Sequence, residues 1–209
     1  MKILIIGASR GIGKSLMEEA LHDGYEVSVM ARHPEKITLS HPALSVHQGD
    51  VRDRESVAKL CTGYDLICSC IGVPITLKPV DLFSIAATNI VAAVMANPGQ
   101  KFIAVTGIGA GDSKGHGGFL YDNIFKPLLL KTIYADKNRE EAIITASAID
   151  WLIVRPAGLT NGLRTKTYRV VNDLSGVTSR RISRRDVADF ILSQTAHPTQ
   201  FGKTPLITY

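Results

Sequence analysis

The chain has 209 residues, 45% hydrophobic and 21% charged, enough apolar content for one sizeable core and too much for a disordered chain. A net charge of +5 favours anionic partners, but the basic cluster Arg180 to Arg185 has no aromatic platform or recognition helix beside it, so nucleic acid is not expected. No run approaches the roughly 18 apolar residues that span a bilayer, and Met1-Lys2 leads straight into Ile3 without a signal segment, which points to a soluble, cytoplasmic protein with no membrane partner.

Apolar runs of strand length alternate with helical periodicity from the first residue to about 160. Ile3 to Ile6 is a β-branched-rich run closed by Gly7, as in a strand buried on both faces. Ile12, Leu16, Ala20 and Leu21 then share one helical face, and that helix ends near Gly24. Tyr25 to Met30 is the second strand and Leu44 to Gln48 the third, followed by a helix through Val57, Leu60 and Cys61. Leu66 to Ile71 is the fourth strand, ended by Gly72, and a long helix covers about Asp81 to Met95. Phe102 to Thr106, a helix from about Tyr134 to Ser147, and Trp151 to Val154 complete the regular part. Beyond it, a short strand is expected near Tyr168 to Val171. A last helix starts at Ser183 as N-cap with Asp186 three residues on, and Pro205 to Thr208 is expected as a closing edge strand.

This β-α-β-α order calls for a Rossmann-type, three-layer, doubly wound parallel sheet in a single domain spanning 1–209, with a small acceptor-side region from about 160 to 209. Two stretches break the rhythm. Gly107 to Gly118 holds six glycines at the carboxyl end of the fifth strand, where ligands sit in such sheets, so it is a candidate flap. Residues 160 to 181 are irregular. The three cysteines lack disulfide or zinc spacing, and His116 has no second ligand near it in sequence, so a reduced protein without a metal site is expected.

The segment Gly7-Ala8-Ser9-Arg10-Gly11-Ile12-Gly13 follows a strand and opens a helix, the context that gives a glycine motif its meaning. Gly7 permits the tight turn, Gly11 clears the approach of a pyrophosphate to the backbone, and Gly13 allows close helix–strand packing. The helix then offers free N–H groups and its positive dipole end to the phosphates. At the end of the second strand, Ala31-Arg32-His33-Pro34 stands where an NAD-selective site places a carboxylate. Arg32 instead suits the adenosine 2′-phosphate, with Arg10 approaching from the other side, so NADPH is the expected cofactor.

The GxxxGxG loop, Gly49-Asp50-Val51 after the third strand and Arg155-Pro156-Ala157-Gly158 after the sixth resemble an atypical short-chain dehydrogenase/reductase. Together with Asn89 to Ala93 and Ser179 to Asp186, they resemble more narrowly the NAD(P)H-binding family that includes NmrA-like proteins and flavin reductase/biliverdin reductase B. The resemblance implies that Asp50 and Val51 flank the adenine. It also implies cofactor roles for Ser9, Ile12, Ile71, Gly72, Thr106, Lys137, Pro156 and Gly158.

Typical members use a Tyr-x-x-x-Lys pair, in which lysine lowers the tyrosine pKa for proton transfer. Here Tyr134 and Lys137 are three apart, still neighbours on one helical face. Lys137, Tyr134 and Thr106 are the candidate catalytic residues, Lys137 foremost. Where flavin and biliverdin reductases end the fifth strand in Thr-Ser, this chain has Thr106-Gly107. Hydride transfer to a flavin mainly needs two stacked rings, so that loss weighs more against biliverdin than against flavin. The expected function is NADPH-dependent transfer of hydride to a flavin or similar planar small-molecule acceptor, by a monomer or small homo-oligomer. The alternative is a non-catalytic NADP(H)-binding redox-sensing regulator of NmrA-like type. A carbonyl or sugar-nucleotide reductase or epimerase is the third reading and ranks last, because it needs a larger substrate lobe than the about 50 residues after position 160.

Overall fold

A computed structural model describes residues 1–113, 129–177 and 179–209. The glycine-rich stretch is therefore described only from Gly107 to Ser113, and the rest of the candidate flap, with His116, lies outside the described residues.

Strands β1 (Lys2–Ile6), β2 (Glu26–Ala31), β3 (Leu44–Gln48), β4 (Leu66–Ser69), β5 (Lys101–Val105) and β6 (Asp150–Pro156) alternate with helices α1 (Gly11–His22), α2 (Arg54–Leu60), α3 (Leu82–Met95) and α4 (Lys131–Thr145). After β6 come β7 (Gly158–Thr160), β8 (Arg169–Val171), β9 (Arg181–Ser183), α5 (Arg184–Ala196) and β10 (Leu206–Thr208). The main sheet has eight strands in the order β3-β2-β1-β4-β5-β6-β10-β8, and β7 and β9 form a separate pair. Every pairing is parallel except that of β8 with β10.

The alternation of side chains along each buried strand divides the core into two layers. Ile3, Ile5, Val27, Val29, Ile103 and Leu152 pack against Leu16 and Met17 of α1 and Phe190 and Ile191 of α5. Leu4, Ile6, Ile67, Phe102 and Ile153 pack on the other face against Val57 of α2, Ile90 and Val94 of α3, and Ile144 of α4. Helix α1 stops where Gly24, at φ +85°, lets the Gly24 amide donate to Leu21 O and the Tyr25 amide to Ala20 O. Those two bonds satisfy carbonyls that the helix end leaves free. Helix α5 starts as its sequence implies, Ser183 Oγ accepting from the Asp186 amide at 2.9 Å.

The region after β6 departs from expectation in two places. β10 is not an edge strand: it pairs with β6 on one side and β8 on the other, so β8 closes the sheet. β7 and β9 escape a periodicity reading because three residues carry no period.

The irregular loop between β7 and β8 is fastened by charge. Arg164 donates to Glu19 at 3.0 Å, Asp23 at 2.7 Å and Asp189 at 2.8 Å, tying the loop to α1 and α5 at once. Hydrogen bonds from Arg164 hold the Asp23 carboxyl down at about 2, from an ordinary value of 3.8. Arg164→Met is expected to cost about 3 kcal/mol at pH 7, because it leaves Asp23 and Asp189 without their guanidinium and Glu19 with Arg185 alone. A depressed carboxyl pKa contributes stability above the unfolded value and loses it as pH falls through the folded value. The wild-type advantage should thus hold down to about pH 4 and shrink between about pH 4 and 2. Urea unfolding at several pH values checks this, and a difference that grows in acid contradicts it.

Candidate functional site

The strand order reverses between β1 and β4, and a crevice opens there beyond the carboxyl ends of the strands, as the doubly wound architecture dictates. It forms a cleft of about 1270 Å³ running from the end of β2 past the β1–α1 turn to β5, α4 and the chain after β6.

The three loop glycines do different work. A Cβ on Gly13 would stand 2.3 Å from the Gly7 carbonyl oxygen, and one on Gly7 would stand 2.8 Å from the Cys70 carbonyl oxygen. Backbone atoms cannot step aside, so these two positions fix how closely α1 and β4 approach the turn. A Cβ on Gly11 meets nothing within 4 Å, but its φ of +66° is left-handed, and the space beside it is the cleft itself. Helix α1 begins after Arg10 with no side-chain cap and no acidic residue in its first turn. Its first amides and positive dipole end therefore face the cleft uncompensated, a seat for phosphate oxygens. Ser9 and Arg10, both exposed, and Ile12 line this part.

At the β2 end the lining includes Ala31, Arg32, His33 and Lys36. Arg32 is exposed and makes no ion pair among the described residues, while the first carboxylate after the strand, Glu35, is outside the lining and lies 3.2 Å from His33. Gly49 and Val51 continue the wall. The Val51 carbonyl accepts from Asn89 Nδ2 at 2.8 Å, so α3 pins this loop, a job that the sequence shows only as an apolar-helix asparagine. Asp50 is turned away: its Oδ1 accepts from the Arg52 amide at 3.0 Å, and it does not line the cleft.

Ile71 and Gly72 line the middle of the cleft beside Cys70, a residue not singled out by sequence. Burial pushes the Cys70 thiol up to about 12, with the Lys137 charge opposing, so it stays a thiol at neutral pH.

At the far end Thr106 and Lys137 line the cleft together. Thr106 Oγ1 donates to Glu141 Oε1 at 2.7 Å, and Glu141 is gripped by Arg155 through bonds of 3.1 and 2.6 Å. Arg155 and Glu141 are both buried, so the threonine hangs from a dry ion pair. Lys137 Nζ sits 4.3 Å from the Phe83 ring centroid. Burial lowers the Lys137 pKa, and the acids Glu140, Glu141 and Asp136 oppose that shift. Burial also raises Glu140 to about 7 against the pull of Lys137. Tyr134 is placed otherwise: buried and outside the lining, it donates its hydroxyl to the Ile108 carbonyl at 2.9 Å. Pro156 and Gly158 do not line the cleft either, whereas Leu159, Asn161 and Arg184 just beyond them do.

The first-turn amides and the glycine cradle fit the pyrophosphate of a nicotinamide dinucleotide. Among the described residues no His, Cys, Asp or Glu cluster is placed to hold a metal, and no helix is long and apolar enough to cross a membrane.

The NAD(P)H-binding family model matches residues 7–198. The chain is similar to the uncharacterised sugar epimerase YhfK of Bacillus subtilis, 30% identical over 212 aligned positions covering 92% of this chain and 87% of that protein. It is 29% identical to an uncharacterised chloroplastic protein of Arabidopsis thaliana over 77% of this chain, and it spans 60% of that relative's length. Among solved structures, a proposed epimerase of Bacteroides thetaiotaomicron is 27% identical with a TM-score of 0.78, covering 100% of this chain and 96% of that one. The anaerobilin reductase ChuY of Escherichia coli O157:H7 shares the fold at a TM-score of 0.76 and 24% identity, over 100% and 97% of the two chains. A wide-type short-chain dehydrogenase/reductase of Veillonella parvula in complex with NADP shares it at 0.82 and 15%, over 100% and 94%. With its glycine loop, strand order and uncapped first helix, the chain belongs to the NAD(P)H-binding family, whose model matches residues 7–198.

Proposed function

We propose that the protein is an NADPH-dependent reductase that passes hydride to a planar acceptor such as a flavin. One observation carries the reading: the cleft joins a phosphate-ready pole, with α1 uncapped and Arg32 in no ion pair among the described residues, to a far end from which the Tyr134 hydroxyl is withdrawn onto Ile108. When bound, NADPH supplies a hydride that, with one proton, takes an oxidised flavin to its dihydro form. Chemistry that needs a phenolic acid is disfavoured there, and an acceptor that is itself an electron sink is favoured.

Lys137 is the residue of this chain best placed to serve the reacting end. Its ammonium is held over Phe83 in a dry setting and yields a proton more readily than an exposed lysine. Thr106, anchored on Glu141, offers its hydroxyl oxygen as an acceptor. The reading sets the protein in the cytoplasm, acting on a small molecule without nucleic acid or membrane, as a monomer or small homo-oligomer.

The expected result is oxidation of NADPH, read at 340 nm, when FMN or FAD is added to the purified protein. Lys137→Met should slow it by about 10²-fold, the lower range for a positioned acid. The alternative of a non-catalytic regulator is favoured by the same withdrawal of Tyr134. It predicts equal affinity for NADPH and NADP⁺ with no oxidation above background, and that pair of results would defeat the reductase reading.

A further inference from the structure

The chain beyond β6 adds a feature to the cleft that cofactor binding leaves unexplained. Of the basic cluster that opens α5, Arg185 is engaged by Glu18 and Glu19, at 4.0 and 3.5 Å. Arg184 is half-buried, lines the cleft, and among the described residues has a neutral partner, the Asn161 side-chain oxygen at 2.7 Å. That bond aligns the guanidinium, and no described carboxylate forms an ion pair with it. Asn161 and Leu159 follow β6, which neighbours β5 in the sheet, so they stand on the opposite half of the crevice from Arg32 at the end of β2. Leu159, two residues before Asn161, lines the cleft and remains 39% exposed, and Ile75 also lines the cleft at 67% exposure.

An oriented guanidinium with no acidic partner among the described residues, in a cleft wall that carries the exposed Leu159, has a specific chemical complement. It is a flat conjugated body, to cover the wall, joined to a phosphate or carboxylate, to meet the arginine in a charge-assisted bond. We infer that Arg184, aligned by Asn161, is the specificity residue for an anionic group on the acceptor, so that a charged planar acceptor is preferred to its uncharged counterpart. This rests on the reductase reading and narrows its substrate class. Two sources share the chemistry, the phosphate of a flavin mononucleotide and the propionates of a linear tetrapyrrole.

The test compares matched acceptors on the full chain. FMN is set against riboflavin, and biliverdin against its dimethyl ester. Binding is read by fluorescence or absorbance titration with NADP⁺ present, and turnover with NADPH. In at least one pair the charged member should bind at least tenfold more tightly. Arg184→Met should remove that preference by raising the charged member's Kd and KM about tenfold, with kcat and the neutral member unchanged. Asn161→Ala should do the same more weakly. An effect confined to the flavin pair assigns the phosphate, and one confined to the tetrapyrrole pair assigns the carboxylate.

Charged and neutral members that bind and turn over alike in both pairs, in wild type and variant, overturn the inference while leaving the reductase reading intact. Loss of NADPH affinity in Arg184→Met, by calorimetry, with unchanged acceptor binding also overturns it, since Arg184 then serves the cofactor. If no acceptor is reduced, the reductase reading fails, and the binding titrations still decide whether Arg184 selects an anion.

Discussion

Gly13→Ala is expected to weaken NADPH binding by at least about 100-fold, some 2.7 kcal/mol, although alanine adds one methyl group. The new Cβ would meet the Gly7 carbonyl oxygen at 2.3 Å and Cys70 Cβ at 3.0 Å, in the β1–α1 turn and the residue just after β4 that line the cleft. Helix α1 must back away from β1, and the amides at its start move with it. The same displacement should lower stability by about 1–3 kcal/mol, the range for overpacking a close contact. Gly24→Ala is the matched control. It too strains a left-handed glycine, at φ +85°, but its Cβ enters open space at the other end of α1. It should destabilise by about 1 kcal/mol and leave calorimetric NADPH affinity unchanged. Equal loss of affinity in both variants would mean that general loosening, and not the turn geometry, governs the cofactor.

Arg155→Met should be the most destabilising single change in the acceptor half, at about 3–5 kcal/mol, because Glu141 would be left as a buried charge without its guanidinium. The pair is 3% and 4% exposed, and it supports the Thr106 hydroxyl from below. A Cβ on Gly111 would collide with Arg155 Nη2 at 2.3 Å and Glu141 Oε2 at 2.4 Å, so the segment leaving β5 also rests against this pair. Adding Glu141→Leu to Arg155→Met removes the stranded charge, and urea unfolding of the double variant should recover at least half of the loss. A double variant as unstable as the sum of both single changes would show that the pair is not acting as one unit.

The sequence carried the first half of this molecule clearly, because there the chemistry is local. The β1–α1 turn, Arg32 and the absence of a nearby carboxylate sit within one βαβ unit, and their spacing is their geometry. Lys137 and Thr106, far apart in sequence, both line the cleft, one from α4 and the other from just after β5. Tyr134 shows the limit of spacing. Three residues from Lys137, it shares the helix face closely enough to be paired with it on paper, yet its ring is buried and its hydroxyl is taken by Ile108 from another element. Asp50 is similar, since an aspartate in a tight turn finds the amide two residues on before it finds a ligand. Arg184 was hidden for the opposite reason. Four arginines within six residues look alike in sequence, and only the fold gives Arg185 two glutamates from α1 and leaves Arg184 facing the cleft.

On the proposed function, the uncapped start of α1 holds a pyrophosphate while Arg32 selects the additional phosphate of the phosphorylated dinucleotide. Titration calorimetry of NADPH and NADH against wild type and Arg32→Gln tests it most directly. NADPH should bind wild type at least tenfold tighter, a difference of about 1.4 kcal/mol. In the variant the two affinities should converge, by loss of NADPH affinity alone. Equal binding of the two cofactors by wild type, or a preference that survives Arg32→Gln, would contradict it.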